Sequence, residues 1–198
     1  MKKRIYLAGI GLLILTGLPV ALAQADRYPT EVELQQLLQE LRENIPELEA
    51  TGIYTDRRTS AERDARDAYA DAWAEVDAAI APYLGEWTAI EESLYFYPAA
   101  NEGEVCILDI HLDLGDFYMG EVRDGKVYTT INHVLVLDSD FLGSTSVYEG
   151  QPSLYPYANP RPLPESFEQL EQYYPEMMAA FYEADCLTGL PNDVGESR

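Results

Sequence analysis

The stretch Leu108-Asp109-Ile110-His111-Leu112-Asp113-Leu114 alternates aliphatic residues with Asp, His and Asp, so an extended strand would carry all three potential metal ligands on one face. Carboxylate and imidazole together suit a divalent cation. Spacing narrows the idea: four residues of strand separate Asp109 from Asp113 by about 13 Å, too far to share one ion. What remains is His111 with Asp109 and a cross-strand ligand such as His133. The simpler reading is the polar outer face of a half-buried antiparallel strand, and it is preferred.

Hydrolytic chemistry has little to start from. His111 and His133 are the only histidines, no G-x-S-x-G or H-E-x-x-H pattern occurs, and no glycine-rich phosphate loop is present. With 35 acidic residues, some carboxylate pair falls about 5 to 9 Å apart by chance, so that separation singles out no glycosidase. No organic cofactor is implied. Aromatic residues say more: of 15 tyrosines several fall in strand-like segments, and Trp87, Tyr95, Tyr97 and Tyr118 are the candidate ligand-binding residues. In Leu94-Tyr95-Phe96-Tyr97 the two tyrosines share a face.

The elements that must hold these residues follow from local pattern. Thr30 with Glu33 is a capping box, and Leu34, Leu37, Leu38, Leu41 and Ile45 form one stripe, predicting a helix that Pro46 ends. Thr59 with Glu62 opens a second, alanine-rich helix to about Ile80, ended by Pro82 and folded against the first as a hairpin over residues 26–82. After Gly85 the period becomes two. Strands are expected at 87–90, 93–97, 105–114, 117–123, 126–131 and 133–137, with Asp124-Gly125 as a type I′ turn that pairs Val122 with Val127, Gly120 with Thr129 and Tyr118 with Ile131. From Gly143 to Pro164 five prolines predict an irregular surface loop. A C-terminal helix over 165–187, restarted at Pro175, precedes a disordered tail at 192–198. Residues 83–191 thus carry the sheet or barrel with its C-terminal helix, packed with the hairpin as one domain.

Lys2, Lys3 and Arg4 precede an uncharged apolar run ending in Ala21-Leu22-Ala23, which reads as a signal peptide over residues 1–23 with cleavage after Ala23 or Ala25. Export predicts a periplasmic or secreted, soluble chain, and makes Cys106 and Cys186 one disulfide rather than a redox pair. The formal charge of -22 would become -25 once the three signal cations are lost, leaving Lys126 as the single lysine. Between Arg66 and Arg123 there is no Lys or Arg. Such a surface repels nucleic acid and anionic membrane and welcomes a basic protein.

Gly85-Glu86-Trp87 at the start of the first strand resembles the G-x-W opening of lipocalin-type barrels, which implies a closed antiparallel barrel around an apolar ligand cavity. The chain departs from that family in its helical preface, in showing six clear strands rather than eight, and in lacking an evident arginine partner for Trp87. The order Tyr83 to Trp87, Glu92 to Pro98 and Val105 to Ile107 is similar to that of exported cyanobacterial-type proteins of unknown function.

The chain is therefore expected to be an α+β domain: an N-terminal helical hairpin, an antiparallel sheet curved into a small barrel, and a C-terminal helix. The leading function is a non-catalytic, monomeric binding module for a small apolar or glycan ligand or a protein partner. The alternatives are an acidic inhibitor of a cationic exported enzyme and a metal-dependent or carboxylate hydrolase.

Overall fold

The structure is a computed structural model and describes residues 27–194; the expected signal segment and residues 195–198 of the expected tail lie outside the described residues. Eight antiparallel strands follow one another in sequence order and close into a barrel, α+β in class with its flanking helices. They are β1 (Gly85–Thr88), β2 (Glu92–Pro98), β3 (Glu104–His111), β4 (Leu114–Arg123), β5 (Lys126–Thr129), β6 (Val134–Asp138), β7 (Phe141–Tyr148) and β8 (Gln151–Arg161). The expected hairpin forms with Val122 opposite Val127 and Gly120 opposite Thr129, and Asp124 and Gly125 take φ of 50° and 69°, as a type I′ turn requires. The expected pair Tyr118 with Ile131 does not form, because β5 ends at Thr129 and the chain turns there, Asn132 N–H donating to the Thr129 carbonyl at 3.1 Å.

Residues 143–164, expected to be irregular, instead supply most of β7 and all of β8. Pro152, Pro156 and Pro160 are tolerated because they share one backbone parity. The carbonyls of Pro156 and Pro160 accept from Tyr54 Oη at 3.1 Å and Arg58 Nη1 at 2.8 Å, so these positions turn away from the ladder with β7. Closure occurs at the seam where β1 meets β8, through Glu86 opposite Arg161 and Thr88 opposite Ala158, with a bulge between. Gly85 makes the approach possible: its φ is 120°, and a Cβ there would lie 2.6 Å from the carbonyl oxygen of Arg161.

Both barrel faces are covered, which decides which way each strand points. Inside lie Trp87, Leu94, Phe96, Ile107, Tyr118, Leu135, Leu142 and Tyr157, at 0–4 % exposure. Outside, Leu108 and Cys106 pack under α3 (Glu168–Tyr173) and α4 (Pro175–Glu183) against Met177, Met178 and Phe181. Each fully buried side chain of this size contributes about 1.5–3 kcal/mol. The alternation holds only to His111, where β3 ends: Leu112 and Asp113 form a turn and Leu114 opens β4, so the expected strand through Leu114 is two strands. Within β3 the orientation is the reverse of the expectation: Leu108 and Ile110 face the outer helices, and Asp109 points inward. Cys106 and Cys186 form a disulfide with Cα atoms 6.0 Å apart, tying the segment after α4 to β3 and closing a loop worth roughly 4–5 kcal/mol in the chain-entropy model.

Two N-terminal helices lie on the opposite wall. α1 (Glu31–Ala50) keeps its capping box at Thr30 and lays Leu34 and Leu38 on Val134 and Val136. It runs through Pro46 rather than ending there, because Ile45 and Leu48 continue the contact with Tyr54 and Phe141. α2 (Ser60–Ala74), also capped as expected, stops short of Ile80. Buried Asp77 ends it by accepting the backbone N–H groups of Ala79, Ile80 and Gly103, the last at 2.6 Å. The chain then folds as a 3-10 turn, Ala81–Tyr83, under the barrel. Behind α4 a short helical turn, Pro191–Val194, stands where the tail was expected to lack order.

Candidate functional site

The two barrel ends differ. At the lower end, where β1 begins, Trp73, Ile80, Tyr83 and Leu84 form a plug continuous with the lumen core. At the upper end, reached by turns 89–91, 112–113, 130–133 and 149–150, the inward positions become polar. Glu92 of β2, Asp109 of β3, Ser144 and Ser146 of β7, and Ser153, Tyr155 and Tyr157 of β8 line a cavity of about 230 Å³ with His133. No lysine or arginine lines it.

The carboxylates are held by phenols. Tyr157 Oη donates to Glu92 Oε1, and Tyr118 Oη donates to Asp109 Oδ2 at 3.3 Å. β1 is short, so above Thr88 the side chains of β2 and β8 meet directly, and Tyr155 Oη donates to the Ile90 carbonyl at 2.9 Å across the same gap. Tyr155 and Tyr157 stand edge to face with centroids 5.3 Å apart. His133 is fixed through its backbone by Thr129, whose hydroxyl accepts His133 N at 3.0 Å, and its Nδ1 is 3.4 Å from Ser144 Oγ.

Burial pushes the Asp109 carboxyl up to about 7, and the negative charge of Glu92 adds to the effect. The same two causes act on the phenols: burial and the neighbouring carboxylates raise Tyr118 and Tyr157 well above the ordinary range. Near neutrality the Asp109 carboxyl is thus divided between its protonated and ionised forms, whereas both phenols keep their protons.

Trp87 and Tyr118 face the lumen, Trp87 deep, with its indole N–H on the Tyr83 carbonyl at 2.7 Å, and Tyr118 next to the mouth. Tyr95 and Tyr97 face outward, the Tyr97 ring packed 5.0 Å from that of Phe181, so the four aromatics do not form one ligand face. Asp109 and His133 line the same cavity, while His111 is exposed at the end of β3. Among the described residues no three His, Cys, Asp or Glu side chains gather closely enough to hold a metal. Sequence reasoning missed Glu92, Ser144 and Tyr157. The last two lie in the proline-rich stretch expected to be a loop, and only that stretch's own alternation over 151–157 could have signalled otherwise.

A larger cavity of about 310 Å³ at the lower end is lined by Trp73, Ile80, Ala99 and Leu187 among others, but its one buried acid, Asp77, is already engaged by three backbone N–H groups. The mouth is where polar groups converge with acceptor capacity to spare. No family model, curated protein or solved structure matches this chain. The site is therefore read from its own geometry.

Among the described residues no helix is long and apolar enough to cross a membrane. The disulfide is of a kind that persists in oxidising compartments.

Proposed function

We propose that the protein is an exported, non-catalytic binding module whose barrel mouth takes a small organic cation, an alkylammonium or guanidinium group. The observation that carries this reading is the pair Glu92 and Asp109 in one cavity with no lysine or arginine lining it. A cation entering there donates charge-assisted hydrogen bonds to both carboxylates and lies against the faces of Tyr155 and Tyr157. The lumen below is filled with side chains, which supports a small polar guest over the large apolar ligand that a lipocalin-type barrel implies.

Binding is coupled to a proton. The groups facing Asp109 are Glu92, Asp116, His111 and Tyr118, with Tyr157 and His133 along the wall, and a bound cation favours the ionised carboxyl over the protonated one. Affinity for methylguanidinium or n-propylammonium, measured by calorimetry on the full chain, rises by up to about tenfold per pH unit below 7 and levels off above it. Asp109→Asn flattens this profile, and Glu92→Gln weakens binding at every pH. A pH-independent affinity in the wild type contradicts the reading.

A second reading uses the same residue. A carboxyl still protonated near neutrality can serve as a general acid, so carboxylate-assisted glycoside hydrolysis is the alternative. Turnover of aryl glycosides that disappears in Asp109→Asn would favour it over simple binding.

A further inference from the structure

Around the polar mouth, three of the four turns of the upper end carry a large apolar side chain that is open to solvent, and the fourth directly follows one. Ile90 is 46 % exposed, Leu112 58 %, Ile131 43 % and Tyr148, just before its turn, 66 %. The turns of the lower end, 99–103, 124–125 and 139–140, contain no large apolar residue at all. Leu112 is doubly unfavourable where it stands, since its φ of 54° places a leucine in the left-handed region as well as in water. Its position is nonetheless held, by a hydrogen bond from its N–H to the Glu91 carbonyl at 3.0 Å and one to its carbonyl from Tyr174 Oη at 3.3 Å. Local stability does not explain this ring, whereas a partner that covers it does.

Charge selects the partner. Glu91, Asp113, Asp116 and Glu149 are exposed on the same rim, and the four upper turns contain no Lys or Arg. Arg27, whose backbone bridges to Val147 nearby, is already held by both carboxylate oxygens of Glu33, at 2.7 and 2.8 Å. A second copy of the chain would bring two acidic rims together, and an anionic lipid surface would be repelled. A free small amine would leave the apolar ring in water.

We propose that the upper end is a docking face for a protein segment presenting a lysine or arginine between apolar neighbours. The cationic head enters the mouth toward Glu92 and Asp109 while the neighbours cover Ile90, Leu112, Ile131 and Tyr148. The proposal rests on the mouth accepting a cation and adds the class of molecule that delivers it.

The test compares four probes by calorimetry on the full chain: acetyl-lysine methylamide, the peptide acetyl-Leu-Phe-Lys-Phe-Leu-amide, the same peptide with norleucine for lysine, and phosphatidylcholine vesicles. The lysine peptide should bind at least about tenfold tighter than the single residue, because only it buries apolar surface. In the double variant Leu112→Ser, Ile131→Ser that ratio should fall to about one, with far-UV circular dichroism reporting an unchanged fold. Equal affinities of peptide and single residue in the wild type overturn the docking face and leave the mouth reading standing. Failure of both to bind removes the mouth reading as well. A norleucine peptide that binds as tightly, or vesicles that compete for the face, would show that the rim takes an apolar or lipid partner and would overturn the proposal.

Discussion

The two ends of the barrel are made of similar residues and put them to opposite uses. Below, tryptophan, tyrosine and aspartate have their polar atoms matched: the Trp73 indole N–H meets the Gly189 carbonyl at 3.2 Å, Tyr83 Oη meets the Gly125 carbonyl at 2.7 Å, and Asp77 collects three backbone N–H groups. Above, tyrosines and carboxyls face one another with no lysine or arginine among them, and apolar side chains stand in water on the turns, Leu112 with a left-handed backbone. One end spends its interactions on the fold. The other hydrogen-bonds its phenols but leaves its carboxylates without a lysine or arginine and its apolar ring in water, which is the physical mark of a surface meant for something else.

The sharpest way to break this contrast is at the plug. Trp73→Ala should cost about 3–5 kcal/mol in urea denaturation, through the cavity and the orphaned Gly189 carbonyl, while the mouth's affinity for methylguanidinium is unchanged in the folded fraction. Next in size is the acid at the opposite end. The Asp109 carboxyl is raised from its ordinary 3.8 to about 7, so between those values the folded state keeps a proton that the unfolded state has released. Stability contributed there is present at low pH and is lost as pH rises through 7. Asp109→Asn should therefore be more stable than the wild type at pH 8 by about 1–3 kcal/mol and close to it at pH 4, in paired urea titrations. An equal difference at both pH values would erase the contrast.

Tyr83→Phe removes one hydrogen bond below and should cost about 1 kcal/mol by thermal unfolding. Smallest is Leu112→Gly. Relief of the left-handed leucine should raise stability by about 0.5 kcal/mol in the same assay, and a loss instead would mean the rim contributes to the fold after all.

What could be read from the residues alone was whatever depended on neighbours in sequence. The capping boxes at Thr30 and Thr59, the Asp124-Gly125 turn and the Cys106 to Cys186 crosslink depend on local chemistry or simple counting, and each appears as expected. What depended on closure could not be read. Alternation shows that Asp109 and Leu108 face opposite ways, but not which way is in, because helices cover the outside and make both faces suitable for apolar residues. The prolines of β8 argued against a strand, since the sequence does not reveal which backbone parity lacks a ladder partner. Glu92 and Tyr157, 65 residues apart, share a site because the sheet curls back on itself, and no spacing rule connects them.

The seam between β1 and β8 has a kinetic consequence. It joins segments some 70 residues apart, so its loop entropy must be met before its contacts give any return, and such long-range pairings form late in folding. Glu92 and Tyr157 confront each other only across that join. Guest recognition is thus a property of the completed barrel, and a chain released before β8 is made would be blind to its guest.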